Sequence, residues 1–130
     1  MLITNELLEK IFSVTKSAGD AIMGIYCSAK NVLITEKLDS SPVTEADLLS
    51  DNILKSGLKK VFDCPYLSEE SADYQFDERQ KWGIYWLVDP LDGTKEFLNK
   101  TNEFTINIAL VNQTRLILGI VYAPALGVMY

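Results

Sequence analysis

The sequence contains no histidine among its 130 residues. This absence excludes Ser-His-Asp triads, Cys-His nucleophiles, phosphohistidine intermediates and zinc sites with histidine ligands. Cysteine is scarce as well, since Cys27 and Cys64 stand alone. Neither begins a Cys-x5-Arg phosphatase loop, because Leu33 and Glu70 occupy the positions where the arginine would stand. We therefore predict that both are reduced, partly buried thiols of a cytoplasmic protein.

A basic surface and a long apolar run are also missing. The net charge of −6 argues against a nucleic-acid-binding surface. An acidic chain also repels a phosphorylated ligand unless a cation inverts the local charge. The longest uncharged run, residues 116–130, is shorter than the roughly 20 residues of a membrane helix, so we predict buried strands there. Glu6 and Glu9 replace the basic start of a signal peptide.

The pattern of apolar residues predicts one α+β domain with two N-terminal helices packed on a mostly antiparallel sheet. The first helix spans Leu7 to Ile25, and Gly19 and Gly24 weaken it unless close packing requires them. The second begins at Thr44, with Asp47 placed for a capping box. Its predicted apolar face consists of Leu48, Leu49, Ile53, Leu54, Leu58 and Val61. Strands are predicted over residues 32–35, 66–68, 84–89, 104–111 and 116–122, with another starting at 128 and an exposed loop over 72–81.

Residues 86–97 carry the strongest chemical signal. An apolar strand runs into Asp89 and Asp92, which are followed by Gly93 and Thr94. Two carboxylates on one turn repel each other, and they persist most easily with a hard cation such as Mg²⁺ between them. The Gly-Thr amides could hold a phosphate where the turn opens toward a helix. The alternative is a solvated turn in which Asp92 caps a short helix.

Two further acidic sites could join this one. Glu69 and Glu70 follow a predicted strand, so they are either a solvated loop or a second set of carboxylates at the same sheet edge. Asp47 either compensates the positive end of the second helix or takes part in chemistry. Together the three sites could build a two-metal phosphatase, with ions about 3.5–4 Å apart that activate a water and stabilise the leaving oxygen.

Two other phosphoryl-transfer chemistries do not fit the sequence. A haloacid-dehalogenase phosphatase requires Asp-x-Asp-x-Thr, whereas Asp89 and Asp92 are one residue too far apart. The sequence also has no glycine-rich loop of the P-loop type, which argues against nucleotide-driven phosphoryl transfer.

Three segments together resemble the inositol monophosphatase superfamily of Mg²⁺-dependent, lithium-sensitive phosphatases. They are Trp-Leu-Val-Asp-Pro-Leu-Asp-Gly-Thr at 86–94, Ser-Pro-Val-Thr-Glu-Ala-Asp at 41–47 and Leu-Ser-Glu-Glu-Ser at 67–71. Residues 95–97 and 102–110 are similar to the bacterial 3′(2′),5′-bisphosphate nucleotidases. Those enzymes convert adenosine 3′,5′-bisphosphate, a by-product of sulfate assimilation, to AMP. An inositol phosphate as substrate remains an alternative.

The resemblance also implies roles for individual residues. Asp47 and Thr94 would be catalytic, since together they would orient and deprotonate the attacking water without a phosphoenzyme. The metal ligands, for two or three Mg²⁺ ions in a complete family site, would be Glu69, Asp89, Asp92 and the carbonyl of Leu91. The substrate contacts would be Glu69, Leu91, Asp92, Gly93 and Thr94.

Family members are considerably longer than this chain. Their second lobe carries a Trp-Asp-x-x-Ala motif with a further metal ligand, which this sequence lacks. We therefore expect residues 1–130 to form the N-terminal metal-binding lobe, with the C-terminal lobe absent. Such a chain either hydrolyses a small phosphorylated nucleotide or binds metal with little turnover. Its exposed lobe interface is expected to favour a homo-oligomer.

Overall fold

The computed structural model describes residues 2–28, 34–36, 42–70 and 81–130. Helix α1, Asn5–Tyr26, begins after Thr4, whose hydroxyl oxygen accepts the N–H of Leu7 at 3.1 Å. Strands β1, Ile34–Glu36, and β2, Pro42–Thr44, pair antiparallel. Helix α2, Glu45–Val61, follows β2 directly and has Thr44 as its N-cap.

A five-stranded sheet forms the rest of the domain in the spatial order β3-β4-β5-β6-β7. Strand β3 runs parallel to β4, and the remaining neighbours are antiparallel. Helix α1 packs against β6, and α2 packs against β3 and β4. The prediction of two helices on a mostly antiparallel sheet is therefore confirmed. The elements are β3 (Tyr66–Ser68), β4 (Ile84–Asp92), the short α3 (Thr94–Leu98), β5 (Thr105–Asn112), β6 (Arg115–Ala123) and β7 (Val128–Met129).

The core lies between the helices and one face of the sheet. Trp86 on β4 is fully buried there, and its indole N–H donates to the carbonyl of Phe62 at 3.0 Å. Burying the large side chains of this layer supplies most of the driving force for folding. The largest of them are Trp86, Tyr66, Phe97, Phe104, Ile11, Ile22, Leu54 and Leu58.

Two expectations about buried faces are wrong. Leu48 and Leu49 lie on the exposed side of α2, because its first turns bury small and polar residues such as Ala46 and Ser50 instead. Residues 116–130 form β6 and β7 as predicted, but alternate side chains leave the core, and Leu116 and Leu126 are exposed. The described residues therefore leave one face of the mostly antiparallel sheet uncovered.

Other boundaries differ from the prediction or cannot be compared with it. Strand β4 continues to Asp92 rather than ending at Asp89. The strand predicted over 32–35 and the loop predicted over 72–81 fall largely outside the described residues. None of the helices in the described parts of the chain is long and apolar enough to cross a membrane.

The two glycines of α1 have different surroundings. A Cβ on Gly19 would lie 2.4 Å from a ring carbon of Tyr122 on β6, so the helix and the sheet can approach only because no side chain stands there. A Cβ on Gly24 would meet no heavy atom within 4 Å. Close packing therefore explains Gly19 and leaves Gly24 as an ordinary helix-weakening residue.

The substitution of each glycine by alanine should change stability in opposite directions. We expect Gly19→Ala to lower the free energy of unfolding by about 1–3 kcal/mol, because the methyl group overpacks the contact with Tyr122. Gly24→Ala should raise it by up to about 1 kcal/mol through helix propensity alone. Urea denaturation followed by tryptophan fluorescence measures both. A Gly19→Ala protein as stable as Gly24→Ala would contradict the close approach.

Candidate active site

A β-bulge in β4 determines where the two aspartates of the 86–94 segment point. Asp89 pairs with Asn107 on β5 and Asp92 pairs with Thr105, so Pro90 and Leu91 together oppose the single residue Ile106. In a regular strand, residues three apart point to opposite faces. The extra residue cancels that alternation, because the partners of the two aspartates are two residues apart on β5. Both carboxylates therefore project from the same face.

That face is the uncovered side of the sheet. Pro90 and Leu91 are buried toward the helices, whereas Asp92 is exposed and Asp89 is half-buried. The side-chain amide of Asn107 donates to Asp92 Oδ2 at 3.2 Å and to the hydroxyl oxygen of Thr105 at 3.1 Å. The predicted turn is thus a bulged strand end, and a β5 amide that the sequence had not singled out holds one of its carboxylates.

Glu69 and Glu70 lie at the same end of the sheet. Strand β3 is parallel to β4, with Ser68 opposite Val88, and the N–H of Glu69 donates to the Val88 carbonyl at 3.2 Å. The two acidic segments therefore leave the sheet side by side, as expected if they form one site. Of the two alternatives for this pair, a shared edge of carboxylates is the one that the topology favours.

The electrostatics of Asp89 reflect this crowding. Partial burial and, after it, the negative charges of Asp92, Glu69 and Glu70 together raise the pKa of its carboxyl to about 6. Every charged side chain that shifts this pKa is acidic. Ionising Asp89 is therefore less favourable in the folded chain than in the unfolded one, and a bound cation would offset that repulsion.

These acids have the right chemistry for a divalent cation but are not drawn together around one point. Among the described residues, no three Asp, Glu, Cys or His side chains form a group that could hold a metal ion as they stand. Glu69 and Asp89 nevertheless line the same groove, and the β5 partners of Asp89 and Asp92 are two residues apart. Oxygen ligands of this kind fit Mg²⁺ or Ca²⁺.

Asp47 lies at the start of α2, where its carboxylate caps the helix and also contacts Thr94. Its Oδ2 accepts the N–H of Thr44 at 2.9 Å and the Thr44 hydroxyl at 2.5 Å, while the Thr44 oxygen accepts the N–H of Asp47, which is a capping box. Its Oδ1 accepts the hydroxyl of Thr94 at 3.0 Å. The side chain is fully buried. The structure thus joins two residues 47 positions apart.

The capping role considered for Asp92 is wrong. The N-cap of α3 is Gly93, and no side chain caps this helix. Gly93 has φ +90° and ψ +44°, a left-handed conformation that other residues adopt at a cost. A Cβ there would also lie 3.0 Å from the carbonyl oxygen of Glu103. Both constraints require glycine between Asp92 and Thr94.

Helix α2 presents two further buried polar side chains next to Asp47. The Ser50 hydroxyl donates to the Pro90 carbonyl at 2.7 Å, and Asp51 Oδ1 accepts the Tyr66 hydroxyl at 2.8 Å. Burial first, and then Asp51, raise the pKa of Tyr66, which keeps its hydroxyl a donor. Sequence reasoning missed this set, although the spacing of three and four residues from Asp47 places Ser50 and Asp51 on its helix face.

The cysteines lie outside this arrangement. Both Cys27 and Cys64 are free, as predicted. The prediction that both are partly buried holds for Cys64 but is wrong for Cys27, which is exposed at the end of α1. Burial raises the pKa of the Cys64 thiol to about 11, so it is almost entirely protonated near neutral pH. A protonated thiol is a poor nucleophile, which agrees with a site built from oxygen groups.

The chain belongs to the inositol monophosphatase family, whose sequence profile matches residues 4–130. Among curated relatives, the 3′(2′),5′-bisphosphate nucleotidase CysQ of Salmonella typhimurium is 49% identical over 125 residues, which is 95% of this chain and 50% of the relative. CysQ of Escherichia coli K12 is 46% identical over the same shares. The chain therefore spans about half the length of the curated relatives it matches.

Solved structures agree on the fold. Extragenic suppressor protein SuhB of Bartonella henselae superposes with a TM-score of 0.83 at 25% identity, over 96% of this chain and 48% of the other. CysQ of Bacteroides thetaiotaomicron, a bacterial member of the same family, gives a TM-score of 0.75 at 36% identity, over 89% of this chain and 41% of the other. The α+β arrangement described above thus matches a little less than half of each of these solved chains.

The requirement for glycine at position 93 can be tested against a matched position. Gly127 also has positive φ, at +67°, but a Cβ there would meet nothing within 4 Å. Gly127→Ala should therefore lower the free energy of unfolding by about 1 kcal/mol through backbone conformation alone. Gly93→Ala should lower it by about 1–2 kcal/mol more, because the methyl group would overpack the contact with the Glu103 carbonyl. Urea midpoints give both values, and equal losses would show that this contact does not constrain residue 93.

Proposed function

We propose that this chain is a Mg²⁺-dependent phosphomonoesterase that acts on adenosine 3′,5′-bisphosphate and yields AMP and inorganic phosphate. The observation that carries the proposal is the hydrogen bond of 3.0 Å between the Thr94 hydroxyl and the buried carboxylate of Asp47. It lies at the end of the bulged strand that bears Asp89 and Asp92. The curated relatives at 46–49% identity, which are named bisphosphate nucleotidases, support the choice of a nucleotide.

In this proposal the oxygen atoms of the acidic edge hold the metal. The ligands would be the carboxylates of Glu69, Asp89 and Asp92 and the carbonyl of Leu91, with two or three Mg²⁺ ions in a complete site. Bound Mg²⁺ would neutralise phosphate charge and lower the pKa of a water molecule. Without a cation, an edge that already disfavours the ionised form of Asp89 would repel the substrate.

The Asp47–Thr94 pair would orient the nucleophile. Asp47 Oδ2 is occupied by Thr44, so Oδ1 is the oxygen that can take a proton through Thr94. Because the Thr94 hydroxyl donates to Oδ1, its lone pairs remain available to accept a hydrogen bond from water. Water would pass a proton to the Thr94 oxygen as the Thr94 proton moves to Asp47. This is general base catalysis through a hydroxyl.

The displacement itself needs no covalent enzyme intermediate. The water oxygen would form the new bond to phosphorus, and the bond from phosphorus to the 3′ oxygen would break. The departing oxygen would take a proton from solvent and leave as the 3′ hydroxyl. Glu69 and the segment from Leu91 to Thr94 would contact the phosphorylated substrate. Gly93, in its left-handed conformation, turns the backbone between Asp92 and Thr94 and has no side chain that could obstruct the substrate.

Two other functions fit parts of the same site. The family profile also covers phosphatases of inositol monophosphate, which would use the same acids. Alternatively, the chain binds metal with little turnover. In favour of that alternative, the described residues include no converged group of three ligands.

Phosphate release and thermal stability should separate these functions. With Mg²⁺ present, we expect release from adenosine 3′,5′-bisphosphate to exceed release from inositol 1-phosphate. Asp89→Asn should reduce it by at least about 100-fold, since a metal ligand and a negative charge are lost. Mg²⁺ should also raise the melting temperature of the wild type and not that of Asp89→Asn. Asp20→Asn, which removes an exposed charge from α1, is the matched control and should behave as wild type.

Each alternative has its own result in this experiment. A faster reaction with inositol 1-phosphate would show that the substrate is an inositol phosphate rather than the nucleotide. Stabilisation by Mg²⁺ without phosphate release would favour the metal-binding lobe. Release that survives both EDTA and Asp89→Asn would reject the metal-dependent mechanism.

We also propose that the 130-residue chain associates with a second copy through the uncovered sheet face. Leu87, Leu116 and Val121 on β4 and β6 are 43%, 61% and 43% exposed. With Ala109 and Gly119 they line a groove of about 420 Å³ that reaches Glu69 and Asp89. A contiguous apolar surface of this kind favours association in water.

The substitution Leu116→Lys should weaken that association. We expect the wild type to be a dimer or larger by light scattering at tens of micromolar, and the variant to shift toward monomer because a charge would be buried at the interface. Leu48→Lys is the control, because Leu48 is exposed on helix α2 rather than on the sheet. A wild type that is monomeric at this concentration would refute the proposal.

The cytoplasmic location and the small nucleotide partner also belong to this proposal. Free thiols at Cys27 and Cys64 suit a reducing compartment. The net negative charge suits a small ligand bound through metal better than it suits a nucleic acid.

A further inference from the structure

We propose that Ser50 is a positioning residue of the carboxylate site, which acts by holding the β4 bulge through the Pro90 carbonyl. The Ser50 hydroxyl donates to that carbonyl at 2.7 Å, and the Ser50 side chain is fully buried. Ser50 itself would touch neither metal nor substrate. The inference rests on the metal-binding part of the proposed function.

The bulge is the part of β4 that the sheet holds least. Among the described residues, Asp89 and Asp92 each pair with a residue of β5, but Pro90 and Leu91 between them have no separate partner there. Pro90 has no N–H to donate. The N–H of Leu91 donates to Asp89 Oδ1 at 3.3 Å, which is a local bond within the bulge. The contact from Ser50 is therefore a bond that ties the bulge to another element.

The element that carries Ser50 is firmly placed. Helix α2 is capped at Thr44 and fully buries Leu54 and Leu58 in the core. On the turn that contains Ser50, Asp51 accepts the Tyr66 hydroxyl and so fixes the helix to β3 as well. A hydrogen bond from such a helix fixes the bulge relative to the end of β3, which Glu69 follows directly.

Charge repulsion works against the bulge in the metal-free chain. Strands β3 and β4 are parallel, so Glu69 lies beside Asp89 in one groove, and Asp92 follows on the same strand as Asp89. The half-buried Asp89 would gain solvation if the bulge opened and its carboxylate moved outward. The Ser50 bond opposes that movement from the buried side of the strand. It would thereby keep both aspartates on one face before any cation binds.

The test compares Ser50→Ala with the loss of another buried hydroxyl. Thr15 donates to the Ile11 carbonyl at 2.7 Å within α1 and is also fully buried, so Thr15→Val removes a similar bond away from the site. We expect Ser50→Ala to weaken Mg²⁺ binding by about 10- to 100-fold in calorimetric titration, a loss typical of a group that orients metal ligands. Thr15→Val should bind Mg²⁺ as wild type does, even if its melting temperature falls.

A second readout needs no metal. In hydrogen exchange of the metal-free chain, Ser50→Ala should accelerate exchange at the Leu91 and Asp92 amides more than at amides of α2, whereas Thr15→Val should not. The isosteric pair Ser50→Thr and Ser50→Val adds a rescue, because only the threonine keeps the hydroxyl. Thr should retain the protection of the bulge and Val should lose it.

The outcomes distinguish this inference from the proposed function. If the wild type binds no Mg²⁺, the metal-dependent function fails, while amide exchange still decides whether Ser50 holds the bulge. If Ser50→Ala binds Mg²⁺ and protects Leu91 as the wild type does, Ser50 has no positioning role. If the Ser50 variants do not fold, the wild type decides: a Leu91 amide that exchanges as fast as an exposed loop amide would overturn the inference.

Discussion

One extra residue in β4 determines that the side chains of Asp89 and Asp92 point to the same face of the sheet. Without it, Asp89 and Asp92 would point to opposite faces, and one of them would enter the core beside Val88. With Pro90 and Leu91 sharing the place of one residue, both buried side chains face the helices and both acids face outward. The same bulge thus allows the strand to bury its apolar residues and to keep both aspartates out of the core.

Helix α2 supports this irregularity at the expense of its own hydrophobic face. It buries Asp47, Ser50 and Asp51 where a helix on a sheet usually buries aliphatic groups. Each of these has a partner on another segment: Thr94, the Pro90 carbonyl and Tyr66. Buried polar groups of this kind destabilise a fold unless they are all paired. Their pairing connects the segments that carry the proposed ligands and the proposed base.

The sequence allowed some of these features to be predicted and not others. Periodicity located α1, the hairpin of β5 and β6 and the exact residues of β3, and the Thr44–Asp47 spacing predicted the capping box. Periodicity wrongly placed Leu48 and Leu49 on the buried face of α2, because hydrophobicity alone does not show which polar side chains form buried hydrogen bonds on that face. The bulge was not predictable from period-two alternation, which it breaks. Long-range partners such as Ser50 and Pro90 required the three-dimensional fold.

The two faces of the sheet divide the residues of the proposed site between them. The helix-facing side contains the core and the hydrogen-bonded Asp47–Thr94 pair. The other side carries Asp89 and Glu69 in the lining of a groove that Leu87, Leu116 and Val121 leave open to solvent. An open groove raises the dielectric around the carboxylates and so weakens their hold on a cation. In the proposed function, a partner that covers this apolar face would therefore strengthen metal binding, which would connect the proposed association with the proposed activity.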